Sequence, residues 1–169
     1  GNLFIPGGTR GLYRSLDGGQ TWTRVLNGIN DTTGATDIAV DPTNFNRMFV
    51  PMWDHQRQWL CRCYTGPGTG IYLTTDGGNT WTRLENDRIA SFTPGDTIGF
   101  ASTSNNTTTA QARMGVTIAP SDPNRVYITT GNWNQVQNGA GGTQRGFRGF
   151  YRSNDGGATF QTMTNANPG

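Results

Sequence analysis

A length of 169 residues is enough for a single domain with a sizeable core. Twenty-five glycines, a 33% hydrophobic share and the lack of any helical periodicity over about a dozen residues point to an all-β chain with many turns. The net charge of +2 comes from thirteen Arg and no Lys against ten Asp and one Glu. The arginines are scattered rather than gathered in a stripe, which argues against a nucleic-acid surface, and no apolar run approaches the ~18 residues of a membrane span.

In chain order, residues 2–6 read as a short strand, Gly7-Gly8 as a turn and residues 11–15 as a second strand. The stretch that follows, Ser15-Leu16-Asp17-Gly18-Gly19-Gln20-Thr21-Trp22, recurs as Thr74-Thr75-Asp76-Gly77-Gly78-Asn79-Thr80-Trp81 and as Ser153-Asn154-Asp155-Gly156-Gly157-Ala158-Thr159-Phe160. The copies share the lead-ins Gly11-Leu12-Tyr13-Arg14, Gly70-Ile71-Tyr72-Leu73 and Gly149-Phe150-Tyr151-Arg152. An Asp followed by two glycines between alternating runs is a tight-turn signal. The glycines supply positive φ, the Asp carboxylate accepts turn amides, and the closing aromatic buries a ring beside the next strand.

A second element recurs between these turns. Asp41-Pro42-Thr43-Asn44-Phe45-Asn46-Arg47 and Ala119-Pro120-Ser121-Asp122-Pro123-Asn124-Arg125 each join two strand-like runs through a Pro-bearing turn. Interleaving the two elements gives strands over residues 36–41, 47–52, 70–74 and 80–84, and again over 114–119, 125–130, 149–153 and 159–163.

The eight-residue frame resembles the Asp box of sialidase-type (BNR) repeats. In that family the box is a structural turn at the outer part of a β-propeller blade. The resemblance implies a scaffold role for Ser15, Asp17, Gly19, Thr21 and Trp22, for Thr74, Asp76, Gly78, Thr80 and Trp81, and for Ser153, Asp155, Gly157, Thr159 and Phe160. The expected fold is an all-β β-propeller of four-stranded antiparallel blades. It comprises a partial blade over residues 2–25 and full blades over 36–84 and 114–163, nearly three blades of a larger or oligomer-completed ring. The longer pattern, Asp-Pro-x-Asn-x-Asn-Arg followed by Gly-φ-Tyr-Arg-Ser-x-Asp-Gly-Gly-x-Thr-Trp, is similar to repeats of xyloglucanase-type glycoside hydrolases and of secreted bacterial sortilin-like propellers. The run 53–78 lies nearer the sortilin-like group.

Antiparallel order puts the Asp-box turns and the Pro-bearing turns at one end of every sheet and the remaining links at the other. The length variation lies there, in residues 53–69, 85–113 and 131–146, so recognition is expected at that end. Trp53, Asp54, His55, Arg57, Trp59 and Tyr64, extended by Trp133, Arg145 and Phe147, supply rings for apolar sugar faces and polar groups for hydroxyls, or a protein hot spot. Asp54 and Asp96 are the candidate carboxylates if the chain is hydrolytic, since the hydrolase resemblance implies an acid–base pair of Asp residues. Cys61 and Cys63 form a candidate disulfide, with two free thiols or a metal pair as the alternatives. No cofactor or metal motif is present.

Three readings follow. The first is a secreted or cell-surface propeller segment that binds protein or glycan through its loop end. The second is part of a glycoside hydrolase acting on β-glucan-type polysaccharide. The third is a structural subunit of a surface layer or filament, whose loops contact copies of itself.

Overall fold

The computed structural model describes residues 8–55, 66–90, 111–132 and 146–164. Its regular structure is strand apart from a single 3₁₀ turn among the described residues. β1 (Leu12–Arg14) and β2 (Thr23–Leu26) form a hairpin; β3 (Thr33–Ala35), β4 (Ala39–Asp41), β5 (Asn44–Asp54), β6 (Gly70–Thr74) and β7 (Thr82–Arg83) form the middle sheet. After one 3₁₀ turn, Asn86–Arg88, the third sheet consists of β8 (Gln111–Ala119), β9 (Asp122–Asn132), β10 (Gly146–Ser153) and β11 (Gln161–Thr164). Every strand pair is antiparallel, and the third sheet runs as a simple meander.

The three Asp boxes close their hairpins with one hydrogen-bond pattern. The Ser15, Thr74 and Ser153 hydroxyls each donate to the Asp two residues on, at 2.7 Å in all three. The same oxygens accept the amides of Gly19, Gly78 and Gly157 at 2.7, 2.9 and 2.8 Å. Each carboxylate then accepts a Thr hydroxyl at 2.6 Å and a Thr amide at 2.9 Å. The turn needs two successive residues in the left-handed region, and the glycine pairs stand at φ +71 and +93, +72 and +86, and +73 and +97. The second and third boxes also lean on the Pro-bearing turn of their own sheet, where the Gly77 amide donates to the Asn46 carbonyl and the Gly156 amide to that of Asn124.

These bonds favour the ionised carboxylates. The Thr21 and Thr80 hydroxyls hold Asp17 and Asp76 well below the usual carboxylate range. At Asp155 burial opposes the charge, yet bonds from Thr159 and Ser153 lower it to about 2. A depressed native pKa contributes stability that is present above the unfolded value near ~4 and is lost as pH falls through the native one. Acid unfolding is therefore expected between about pH 4 and 2, and replacing Asp155 by Asn should flatten the pH dependence in that window. Chemical-denaturation midpoints measured across those pH values check this; an unchanged slope in the variant would rule it out.

Strand one of the middle sheet, expected as an unbroken run over residues 36–41, is in two pieces. Ala35 pairs with Met52 and Ala39 with Phe49, so three residues face two and the strand bulges opposite Pro51. Pro51 has no amide to donate, and its carbonyl accepts the Thr36 amide at 3.0 Å and the Thr36 hydroxyl at 3.3 Å. The piece before the bulge starts at Thr33, and strand two starts at Asn44 instead of Arg47.

The middle sheet is covered on both faces, which explains the continuous apolar run Met48-Phe49-Val50-Pro51-Met52. On one face Phe49 and Ile71 join Met114, Val116, Ile118, Val126, Ile128, Tyr151 and Phe160 of the third sheet. On the other, Val50, Met52 and Tyr72 pack with Leu26 and Leu12 of the hairpin. The link out of the middle sheet is tied to the third sheet just before β11: Phe160 donates its amide to Arg88 at 2.7 Å, and Ala90 donates to Phe160 at 2.8 Å.

Arginine stitches these layers. Among the described residues, Arg10, Arg14, Arg24, Arg47, Arg83 and Arg88 all donate to main-chain carbonyls. Arg14 of the hairpin reaches Gly77 of the middle box at 2.6 Å. Arg47 of the middle sheet reaches Gly156 of the third box at 3.1 Å and also bonds Pro123. Arg47 is held by Asp41, whose carboxylate lies 2.9 Å away and caps Thr43. A planar fork with several donors suits carbonyls converging from two sheets better than an ammonium does.

Candidate functional site

The end of the middle sheet opposite its Asp box is where β5 terminates and the residues before β6 return. Asp54 pairs in register with Thr33, and Trp53 with Gly34. Asp54 is 5% exposed, and its carboxylate is fully engaged. It accepts the Asn30 side-chain amide at 2.6 Å, the Gly68 amide at 3.0 Å and the Thr32 hydroxyl, while its own amide donates to the Thr69 hydroxyl at 3.0 Å. Asn30 in turn accepts from the Thr32 amide at 3.2 Å and from the Thr32 and Thr33 hydroxyls at 3.0 and 2.5 Å, an Asx turn. The Asn30 side-chain nitrogen is thus occupied internally. A Cβ at Gly66 would collide with the Asp54 carboxylate and one at Gly68 with the Thr33 hydroxyl, so the returning backbone passes directly against this cluster.

Above the cluster the Trp53 and His55 rings stack, with centroids 4.1 Å apart and planes 3° from parallel. Arg10 closes the other side: its guanidinium donates to the Thr32 carbonyl at 2.7 Å and to that of His55. The resulting groove of about 260 Å³ is lined by Thr9, Arg10, Gly11, Thr32, Gly34, Ala35, Trp53 and His55. It combines a flat aromatic pair, a guanidinium and two hydroxyl-bearing residues within one concavity.

The sequence-derived candidates divide accordingly. Trp53, Asp54 and His55 come together here. Phe147 lies on β10, 51% exposed, at the corresponding end of the third sheet. Arg57, Trp59, Tyr64, Asp96, Trp133 and Arg145, with Cys61 and Cys63, lie outside the described residues. Arg10, Asn30 and Thr32 were missed. Arg10 sits in a four-residue link with no motif, and only the Asn-x-Thr-Thr spacing hinted at an Asx turn. Among the described residues no three His, Cys, Asp or Glu side chains gather as a metal-binding group, and no helix is long and apolar enough to cross a membrane.

Asp54 acts first as a strut between three segments. Removing its carboxylate in Asp54→Ala would leave the Asn30 and Gly68 amides without their acceptor and the Thr32 hydroxyl with Asn30 alone. Destabilisation of about 2–4 kcal/mol is expected by denaturant titration. A loss below about 0.5 kcal/mol, the level of an ordinary surface change, would contradict the strut.

Antiparallel sheets packed together, each closed by the same Ser/Thr–Asp–Gly-Gly–Thr turn, define the class: this is an all-β fold of the Asp-box propeller type. The BNR/Asp-box repeat family matches residues 13–24, the first of the three copies. Among solved structures the chain is similar to an ancestral GH74 enzyme, with a TM-score of 0.52 and 22% identity over 93% of this chain and 16% of that one. It is also similar to the GH74 xyloglucanase of Xanthomonas campestris, with a TM-score of 0.50 and 17% identity over 90% of this chain and 17% of that one. The chain therefore spans about a sixth of the length of these enzymes. Likeness at this identity is a likeness of fold. A search of curated proteins gives no match.

Proposed function

We propose that this chain is the glycan-contacting part of a secreted propeller protein, with the Trp53–His55–Arg10 groove as the contact. The observation that carries the reading is the parallel Trp53–His55 pair beside the Arg10 guanidinium, at the end of the sheet away from the Asp boxes. Pyranose rings present flat C–H faces that rest on aromatic planes, and their hydroxyls take bonds from guanidinium and hydroxyl groups. Asp54 serves this groove by fixing the backbone on which Trp53 and His55 stand.

Affinity electrophoresis and calorimetry against a panel of soluble polysaccharides, β-glucans included, test the reading. Binding to at least one glycan is expected, with about a tenfold loss in Trp53→Ala, the order of one aromatic contact. Absence of binding across the panel, or unchanged affinity in the variant, rejects it. A second reading, part of a glycoside hydrolase acting on β-glucan-type polysaccharide, draws its support from the fold likeness to the two GH74 enzymes. Release of reducing ends from a bound polysaccharide would favour it over binding alone.

A further inference from the structure

Four pairs of Asp or Asn followed by Gly lie among the described residues: Asp17-Gly18, Asn27-Gly28, Asp76-Gly77 and Asp155-Gly156. Such pairs are chemically labile, because a glycine has no Cβ to shield its nitrogen from the preceding side chain. Three of the four are closed to that chemistry. In each Asp box the carboxylate accepts a Thr hydroxyl and a Thr amide, which keep it ionised, and an ionised carboxylate offers an incoming nitrogen no leaving group. The nitrogens of Gly77 and Gly156 are also engaged, with the Asn46 and Asn124 carbonyls.

Asn27-Gly28 has none of these restraints. It stands just after β2, in the link from the hairpin to the middle sheet, with Asn27 exposed. Among the described residues neither the Asn27 side chain nor the Gly28 amide makes a hydrogen bond. Unlike a carboxylate, an uncharged side-chain amide is an electrophile at neutral pH and carries its leaving group as ammonia. Immediately beyond this point the link is tightly seated. A Cβ on Gly28, whose φ is +70, would stand 2.6 Å from Cβ and Cγ2 of Thr33. Thr33 shows no exposed surface, donates its hydroxyl to Asn30 and pairs in register with Asp54.

We propose that Asn27 is a site of spontaneous deamidation, which converts the link between the hairpin and the middle sheet into an isoaspartyl link. The Gly28 main-chain nitrogen attacks the Asn27 side-chain carbonyl carbon and closes a succinimide ring. The bond from that carbon to the side-chain nitrogen breaks, and the nitrogen leaves as ammonia with the proton given up by the Gly28 amide. Water then opens the ring at either carbonyl, giving an aspartyl or an isoaspartyl residue with a new carboxylate. The isoaspartyl product also lengthens the main chain by one carbon directly before Gly28. With Thr33 packed against Gly28, that carbon displaces the turn that carries Asn30, and the strain reaches the Asn30–Asp54 bond.

Ageing the full chain at mildly alkaline pH, followed by peptide mapping and enzymatic methylation of isoaspartyl carboxylates, tests the proposal. A peptide of residues 25–47 aged alongside gives the rate for the unfolded sequence. A gain of about 1 Da at position 27 is expected. Its rate should lie within about tenfold of the peptide's, with isoaspartate at that position and none in the three Asp boxes. The denaturation midpoint should fall in step with the modified fraction, whereas Asn27→Gln keeps its midpoint over the same time. Freshly prepared Asn27→Asp supplies the charge without the longer main chain and should match the unmodified protein. Slowing by more than about tenfold against the peptide, the mark of reaction only through local unfolding, overturns the proposal. Isoaspartate in the boxes at the rate seen at Asn27 also overturns it, and an unchanged midpoint in the modified chain overturns the displaced turn. None of these readouts depends on glycan binding.

Discussion

Truncating Phe49 to alanine is expected to cost about 3–5 kcal/mol of folding stability, the range for a fully enclosed aromatic. Phe49 stands on the central strand of the middle sheet, shows no exposed surface, and belongs to the cluster that joins the middle and third sheets. Its neighbours include Phe160 and the backbone of the third box, where rigid turn geometry limits collapse into the vacated space. The cost should therefore fall toward the upper part of the range. Urea titration followed by tryptophan fluorescence checks it, and a loss below about 1 kcal/mol would show that the joint carries little of the fold's energy.

The second large effect comes from Gly157→Ala. The new Cβ would stand 2.6 Å from the tip of the Phe49 ring, at a residue whose φ is +97. A side chain in that backbone region costs about 1–2 kcal/mol, and displacing a packed ring adds about 1–3 kcal/mol. The other boxes separate the two contributions. Gly18→Ala meets nothing within 4 Å at φ +71 and should show the backbone cost alone. Gly78→Ala, 3.3 Å from the Trp81 ring at φ +86, should fall between them. In the double variant Phe49→Ala/Gly157→Ala the steric part should vanish, so the two losses would sum to more than the double variant shows. Additive losses, or equal losses at Gly18 and Gly157, would refute this account.

The Asp boxes were fully legible in the sequence because their chemistry is local: hydroxyl, carboxylate, two glycines and Thr interact within five residues of chain. The hairpins on either side followed from the same signal. The break in strand one was not, because Pro51 acts on a neighbouring strand fifteen residues away in sequence. Half of the candidate site was visible as Trp53-Asp54-His55. The rest came from Arg10 and Asn30, two dozen to four dozen residues distant, whose types carry no signal until the hairpin is folded against the middle sheet.

The arginine bias shows the same division. Thirteen arginines without a lysine were evident from the sequence, and their scatter spoke against a nucleic-acid surface. Their bonds to carbonyls on adjoining sheets became visible only in three dimensions. By itself, then, the sequence determined the repeat, the turns and the alternation of strand faces, since those depend on residues a few positions apart. Which faces meet, where the ladder breaks and which side chains share the groove were decided by tertiary structure, because each depends on contacts between segments that only sheet stacking brings together.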